Sequence, residues 1–326
     1  MCLKVWWEKS MGKALSLLAL SLLMALSQIT MAISAAAGVE STAEEKENPV
    51  HCGHVFSREE TVREPGLLSE GLLVRTCERC GYSEKVILPE RMQACTYAYT
   101  SGTKTISLPY RIFYPSDFES GTGIYPVVMY YHGAGEVGTN NVWQVRGNAL
   151  LERLAALDNA ILIAPQCRES YQWVNTPWSE GSYDSISKKP SIYLDASISL
   201  LDQIVHTGRA DKNRIYAVGI SMGGYAAWNV GMEYPDVFAG IIPVCGAADP
   251  ARAAELLDVS IWAFHGEKDR AVPVSGSREM VAAIESLGGS KVKYTEYPGR
   301  GHNVWTIAFA EPDLTDWLFS QEKASQ

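Results

Sequence analysis

Three residues stand where acyl-transfer chemistry could be done. Ser221 lies in Gly219-Ile220-Ser221-Met222-Gly223, a Gly-x-Ser-x-Gly pentapeptide. A serine hydroxyl is a weak nucleophile and needs a neighbouring base, usually a histidine held in one tautomer by a carboxylate. Asp269 follows a strand-like run in His265-Gly266-Glu267-Lys268-Asp269-Arg270, and His302 follows another in Pro298-Gly299-Arg300-Gly301-His302-Asn303. Glu267 is a rival acid. His265 and His132, each at a strand end and followed by glycine, are rival bases that read as structural.

A second set of residues suits metal chemistry. Cys77-Glu78-Arg79-Cys80-Gly81 is a Cys-x-x-Cys-Gly knuckle, which lets two thiolates converge on one ion while glycine relieves the turn. Upstream, His51-Cys52-Gly53-His54 can complete a tetrahedral set with Cys52 and one of the two histidines, and in an extended strand Cys52 and His54 face the same side. The expected ligands are Cys52, His54, Cys77 and Cys80, around a structural zinc. Four protein ligands would leave no open position for catalysis. In an oxidising compartment the same cysteines could instead form disulfides. The βαβ pattern that accompanies a redox-active Cys-x-x-Cys is absent.

The elements that must position these residues read as follows. Residues 214–218 form a short apolar strand and 224–230 a helix rich in small residues, so Ser221 occupies the tight strand-to-helix turn between them. Residues 97–99 and 105–114 read as a hairpin around Ser101-Gly102. Residues 126–131, 160–165, 240–245, 260–266 and 291–297 read as further strands, the first apolar on both faces as in parallel sheets. Helices are expected over 142–156, 191–206, 275–287 and 312–321, and 211–214 reads as a turn. Alternating strands and helices predict an α/β fold with a doubly wound, mostly parallel sheet. Ahead of it, residues 72–76 and 85–88 form the hairpin of a small β-rich Cys/His module. The expected division is a catalytic domain over 95–322, a module over 51–90 and a polar, acidic linker over 38–50.

Gly-Ile-Ser-Met-Gly-Gly, His-Gly-Glu-Lys-Asp and Gly-His-Asn-Val-Trp together resemble the α/β-hydrolase superfamily. More narrowly they are similar to its dienelactone-hydrolase, phospholipase/carboxylesterase and feruloyl-esterase-like branch, which includes predicted peptidases of the prolyl-oligopeptidase class. The resemblance covers residues 96–320. It implies Ser221 as nucleophile, His302 as general base and Asp269 as its orienter. The oxyanion would be held by the backbone N–H of Met222 and by one from the loop His132-Gly133-Ala134-Gly135, assigned to Ala134 with Gly135 the alternative. The module is similar to zinc-ribbon-like Cys/His repeats of exported proteins of anaerobic Gram-positive bacteria. Trp173, Trp178 and Trp305 are candidate substrate contacts, the first two in a long loop over 170–190. Cys167 and Cys245 carry no mutual spacing signal and read as free or packing thiols.

A net charge of -9 argues against nucleic acid and anionic membrane surfaces as partners. Lys4, Lys9 and Lys13 precede an apolar run over 14–29 and a small-residue stretch over 34–38, the pattern of a secretory signal peptide over 1–37. Cleavage after Ser34 or Ala37 fits, and a retained anchor helix is the alternative. The expected activity is that of a secreted serine esterase. It would need no catalytic cofactor and would act on a small-molecule or polysaccharide-linked ester, such as a feruloyl or acetyl ester. A serine peptidase, or an inert binding protein on the same fold, are the competing readings.

Overall fold

The computed structural model describes residues 53–323. The signal peptide, the linker, and the His51 and Cys52 assignments lie outside the described residues. Two compact units are present.

In the smaller unit, β1 (Phe56–Arg63), β2 (Gly71–Cys77) and β3 (Ser83–Leu88) form one antiparallel sheet in that order. The β2–β3 hairpin is the one expected. Nothing in Phe56-Ser57-Arg58-Glu59-Glu60-Thr61-Val62-Arg63 signals β1, because it is exposed along nearly its whole length and carries no apolar alternation. Residues 65–70, assigned by sequence to the module, belong to the larger unit. Leu67 is buried there, and the carbonyls of Gly66 and Leu67 accept from the amides of Arg91 and Met92.

The larger unit is built on an eight-stranded sheet. Its strands are β4 (Gln93–Ser101), β5 (Lys104–Phe113), β6 (Tyr125–Tyr131), β7 (Ile161–Pro165), β8 (Ala210–Ile220), β9 (Gly240–Val244), β10 (Ser260–Gly266) and β11 (Val292–Tyr297). Their spatial order is β11-β10-β9-β8-β6-β7-β5-β4. Every pairing from β11 to β7 is parallel, while β5 joins β7, and β4 joins β5, antiparallel. The central strands β6, β7 and β9 are buried at every position, which explains their unbroken apolar runs.

Two local expectations are corrected. The turn expected at 211–214 is part of β8, where the Asp211 carboxylate accepts from Asn213 N and Arg214 Nε. Its turn chemistry makes a bulge: Tyr125 pairs with Ala210, but Val127 pairs with Ile215. The helix expected from residue 142 begins later, as α1 (Ala149–Leu157). Gly147 takes φ +67°, a left-handed break, and Asn148 then caps the amides of Leu150 and Leu151. Then come α2 (Ile192–Val205), α3 (Met222–Glu233), α4 (Ser275–Ser286), α5 (Trp305–Ala308) and α6 (Leu314–Ser320). Because β8, β9, β10 and β11 are consecutive neighbours and parallel, the loops after them open at one end of the sheet.

Candidate active site

Ser221 sits between the end of β8 and the start of α3, at φ +52° and ψ -117°. A non-glycine residue pays for that backbone in strain. The surrounding packing enforces it: the Ser221 amide donates to Val244 O at 2.8 Å. A Cβ on Gly219 would lie 1.9 Å from Gly223 O, and one on Gly223 would lie 1.9 Å from Tyr131 O. Only glycine lets the helix fold back this closely onto the sheet.

The loops after β10 and β11 bring the other two residues to the serine. His302 Nε2 is 2.7 Å from Ser221 Oγ, and His302 Nδ1 is 2.6 Å from Asp269 Oδ2. The Asp269 side chain is fully buried. Burial alone would raise its carboxyl. Hydrogen bonds from His265 and His302 and from the amide of Val272 outweigh that and hold it well below the usual carboxylate range. Asp269 Oδ1 also accepts from the amides of Ala271 and Val272, at 2.9 and 3.0 Å. An ionised acid, an imidazole and a hydroxyl are therefore in line, so a proton on Ser221 has a path to His302. Glu267, the rival acid, is exposed and accepts instead from the amide of Gly299.

His132 and His265 are both fully buried. His132 Nε2 accepts from the Cys167 amide at 2.9 Å, which leaves Nδ1 to donate to Gly133 O at 2.6 Å. Burial lowers the pKa of His132 to about 4, and the bond to Gly133 offsets this only in part. This neutral imidazole anchors the loop that holds Ala134. His265 Nε2 lies 3.2 Å from Asp269 Oδ2 and 3.0 Å from Val272 O, and so helps fix the acid.

Met222 is the first residue of α3, and Ala134 begins a short 3-10 turn, Ala134–Glu136. First-turn amides have no partner within their own helix, so both N–H groups are available to a ligand. Between this loop and α5 lies a recess of about 160 Å³. Ile220, Tyr130, Glu136, Trp143, Trp305 and Phe309 are among its walls. Trp305 meets His302 edge to face, with ring centres 5.5 Å apart. Trp178 is 38% exposed. Trp173 is fully buried, its Nε1 donating to His132 O at 3.1 Å. It therefore packs beneath the loop and offers no face to a substrate.

Sequence reasoning gave Cys245 no part in the site. Its thiol, the Asp269 carboxylate and the His302 imidazole offer atoms within 4.8 Å of one another. The signal was available in the strand order: β9 lies between the strands that deliver Ser221 and Asp269, so the residue after β9 must point between them.

In the smaller unit, single atoms of His54, Cys77 and Cys80 also lie within 4.8 Å of one another, and Cys80 Sγ is 3.4 Å from His54 Nδ1. Burial pushes the Cys77 thiol up. Hydrogen bonds involving His54 and the backbone of Cys80, Arg79 and Val55 outweigh it and bring the pKa down to about 5. Two sulfurs and one imidazole nitrogen, one sulfur already favouring thiolate, fit a tetrahedral soft-metal site.

The phospholipase/carboxylesterase family profile matches residues 124–311. A protein described as an esterase, NocK, from Nocardia uniformis subsp. tsuyamanensis is 26% identical over 148 residues, 44% of this chain and 43% of that protein. The monoacylglycerol lipase of Mycolicibacterium smegmatis is 38% identical over 82 residues, 23% of this chain and 26% of the lipase. The chain thus spans less than half the length of these curated relatives. Among solved structures, a thermostable esterase superposes with a TM-score of 0.63 at 29% identity, over 81% of this chain and 76% of the other. A ferulic acid esterase superposes with a TM-score of 0.52 at 20% identity, over 70% of this chain and 100% of the other, a likeness of fold alone.

Proposed function

The chain belongs to the phospholipase/carboxylesterase family, an α/β-hydrolase family, and on that premise we propose that it is a secreted serine esterase cleaving carboxylic esters through an acyl-enzyme. The observation that carries this reading is His302, which bridges Ser221 Oγ and Asp269 Oδ2 at 2.7 and 2.6 Å.

Ser221 Oγ attacks the acyl carbon while its proton passes to His302 Nε2. Asp269 holds the imidazole with Nδ1 protonated and stabilises the cation that forms. The charge that develops on the carbonyl oxygen is met by the N–H groups of Met222 and Ala134, each such donor being worth on the order of 10²–10³ in rate. His302 then gives its proton to the alcohol oxygen as the C–O bond breaks. A water molecule repeats the sequence, with its proton passing to His302 and its oxygen to the acyl carbon, and Ser221 is restored as the acid leaves. These steps use only this chain's own groups.

The recess beside Ile220 and Trp305 takes the acyl group. Its volume of about 160 Å³ is close to the ~150 Å³ cavity that holds a benzene ring. A recess of that size with aromatic walls admits an acetyl group or the ring of a feruloyl group, as on esters of plant polysaccharide. The N-terminal Lys-apolar-small pattern supports export, as does Cys95, which is disulfide-bonded, a state characteristic of oxidising compartments. In the smaller unit, His54, Cys77 and Cys80 would hold a structural zinc that takes no part in the chemistry. Metal analysis with thiol titration tests this: one zinc per chain is expected, and a Cys77–Cys80 disulfide without zinc would sink it.

The function is tested with a fluorophosphonate probe and a panel of 4-nitrophenyl acetate, 4-nitrophenyl butyrate and methyl ferulate. Wild type should label and cleave at least one ester, and Ser221→Ala should do neither. A wild-type protein that neither labels nor cleaves any of them overturns the reading.

A further inference from the structure

We propose that the groove formed by the 172–188 loop binds a pyranose ring of the leaving alcohol. The proposal rests on the polysaccharide-ester reading above. The groove has a volume of about 560 Å³, and Gln172, Asn175, Thr176, Trp178, Ser179 and Lys188 are among its walls.

The wall chemistry points to a sugar. A pyranose presents an apolar face of C–H bonds and a rim of hydroxyls that both donate and accept. Trp178 supplies a large aromatic surface, 38% exposed. Two carboxamides, a serine hydroxyl and an ammonium surround it, giving donors and acceptors to match such a rim. Thr176 is buried, and its Oγ1 has no hydrogen-bond partner among the described residues. Buried hydroxyls are nearly always paired, so an orphan in the wall of a groove marks a place for a polar ligand or water.

The groove is tied to the catalytic helix. Tyr225 lies in the first turn of α3, four residues after Ser221, and its hydroxyl donates to Trp178 O at 2.9 Å. The loop is also pinned at other points. Ser185 N and Oγ donate to Asp249 Oδ2 at 2.9 and 2.7 Å, Ser182 Oγ donates to Glu279 at 2.6 Å, and Asn175 N donates to Lys189 O at 3.0 Å. A platform held this way is formed before ligand arrives, so little ordering entropy is lost on binding. The recess beside Ile220 accounts for the acyl side, and the more open groove is left for the alcohol side.

The test uses the full chain carrying Ser221→Ala, titrated with xylohexaose and with cellohexaose by calorimetry and affinity electrophoresis. At least one oligosaccharide should bind, and binding should weaken at least fivefold when Trp178→Ala or Asn175→Ala is added. Thermal melting checks that these variants fold. In the Ser221 background, the ratio of kcat/KM for acetylated xylo-oligosaccharide to that for 4-nitrophenyl acetate should fall about tenfold in Trp178→Ala. Absence of binding to both oligosaccharides, or binding indifferent to both substitutions, overturns the proposal. If wild type cleaves 4-nitrophenyl acetate but the ratio does not move in Trp178→Ala, the groove assignment falls and the esterase reading stands. If wild type cleaves no ester, the esterase reading falls, and the titration of the Ser221→Ala chain still decides the groove.

Discussion

The thiol of Cys245 donates to the carbonyl of His302 across 3.1 Å, from the buried side of the triad. Cys245 itself takes φ +49°, a left-handed conformation that a residue with a Cβ adopts at a cost. The strain places a small polar group behind the base, where it fixes the backbone from which the imidazole projects. Cys245→Ala should keep the fold and lose this anchor. A hydrogen bond is worth about 1 kcal/mol net, so kcat should fall about fivefold with little change in KM. Cys245→Ser, which keeps a donor, should recover most of the loss. Burial raises the thiol pKa, with the Asp269 charge adding to it, so Cys245 should also resist iodoacetamide in the native protein and react only after unfolding. Equal kinetics for the alanine and serine variants would remove the positioning role.

Asp269 and Glu267 are two residues apart, yet their surroundings separate them. Asp269 is buried and bonded to His302, while Glu267 faces solvent and accepts from Gly299. Asp269→Asn should lower kcat by about 10³–10⁴, because the amide no longer holds His302 in the required tautomer. Glu267→Gln should change it less than threefold. The folded-state pKa of Asp269 is depressed, so the stabilisation from its ionised form is present above the unfolded value of about 3.9 and is lost only as pH falls through the lower folded value. The pH profile of kcat/KM of Glu267→Gln should therefore overlay that of wild type.

The amide of Ala134 can be deleted without disturbing its neighbours. Gly133 before it is extended, at ψ -177°, and Ala134 opens a 3-10 turn, a place where proline is tolerated. Ala134→Pro removes the N–H and little else. A loss of about 10²–10³ in kcat with an unchanged melting temperature is expected. If Ala134→Pro leaves kcat intact, the second oxyanion donor lies elsewhere, and Gly135→Pro, which removes the alternative amide, becomes the next variant to measure.

The catalytic order was legible because Ser221 and Asp269 follow apolar runs over 215–220 and 261–264, which announce themselves, while His302 follows the half-polar β11 and was marked by its Gly-His-Asn motif. The sheet from β6 to β10 followed from the same runs. What stayed hidden has physical causes. β1 carries charge on both faces, so no periodicity marks it. The bulge at Asp211–Arg214 uses turn residues inside a strand, and composition alone reads them as a turn. Trp173 looks like a binding residue because it lies in a long loop. Only the packing shows that its indole is committed to His132 O. Cys245 has no motif of its own, and its place behind His302 depends on a contact between residues 57 positions apart in the chain.

His132 makes the fold sensitive to acid independently of catalysis. Its imidazole is fully buried and neutral, accepting from Cys167 N and donating to Gly133 O. Burial takes its pKa from 6.5 in the unfolded chain to about 4 in the folded one. The unfolded state therefore binds more protons between these values, and stability must rise with pH across that window. The stabilisation is fully present above pH ~6.5 and is lost as the pH falls through about 4, an amount on the order of 3 kcal/mol. Protonation would place a charge where Nε2 must accept from Cys167, so the loop that carries Ala134 should loosen as the fold weakens. Chemical denaturation at pH 7.5 and pH 4.5 should show a fall in unfolding free energy that His132→Gln largely removes, because glutamine can accept from the same amide without titrating. An equally steep pH dependence in that variant would assign the acid sensitivity to other groups.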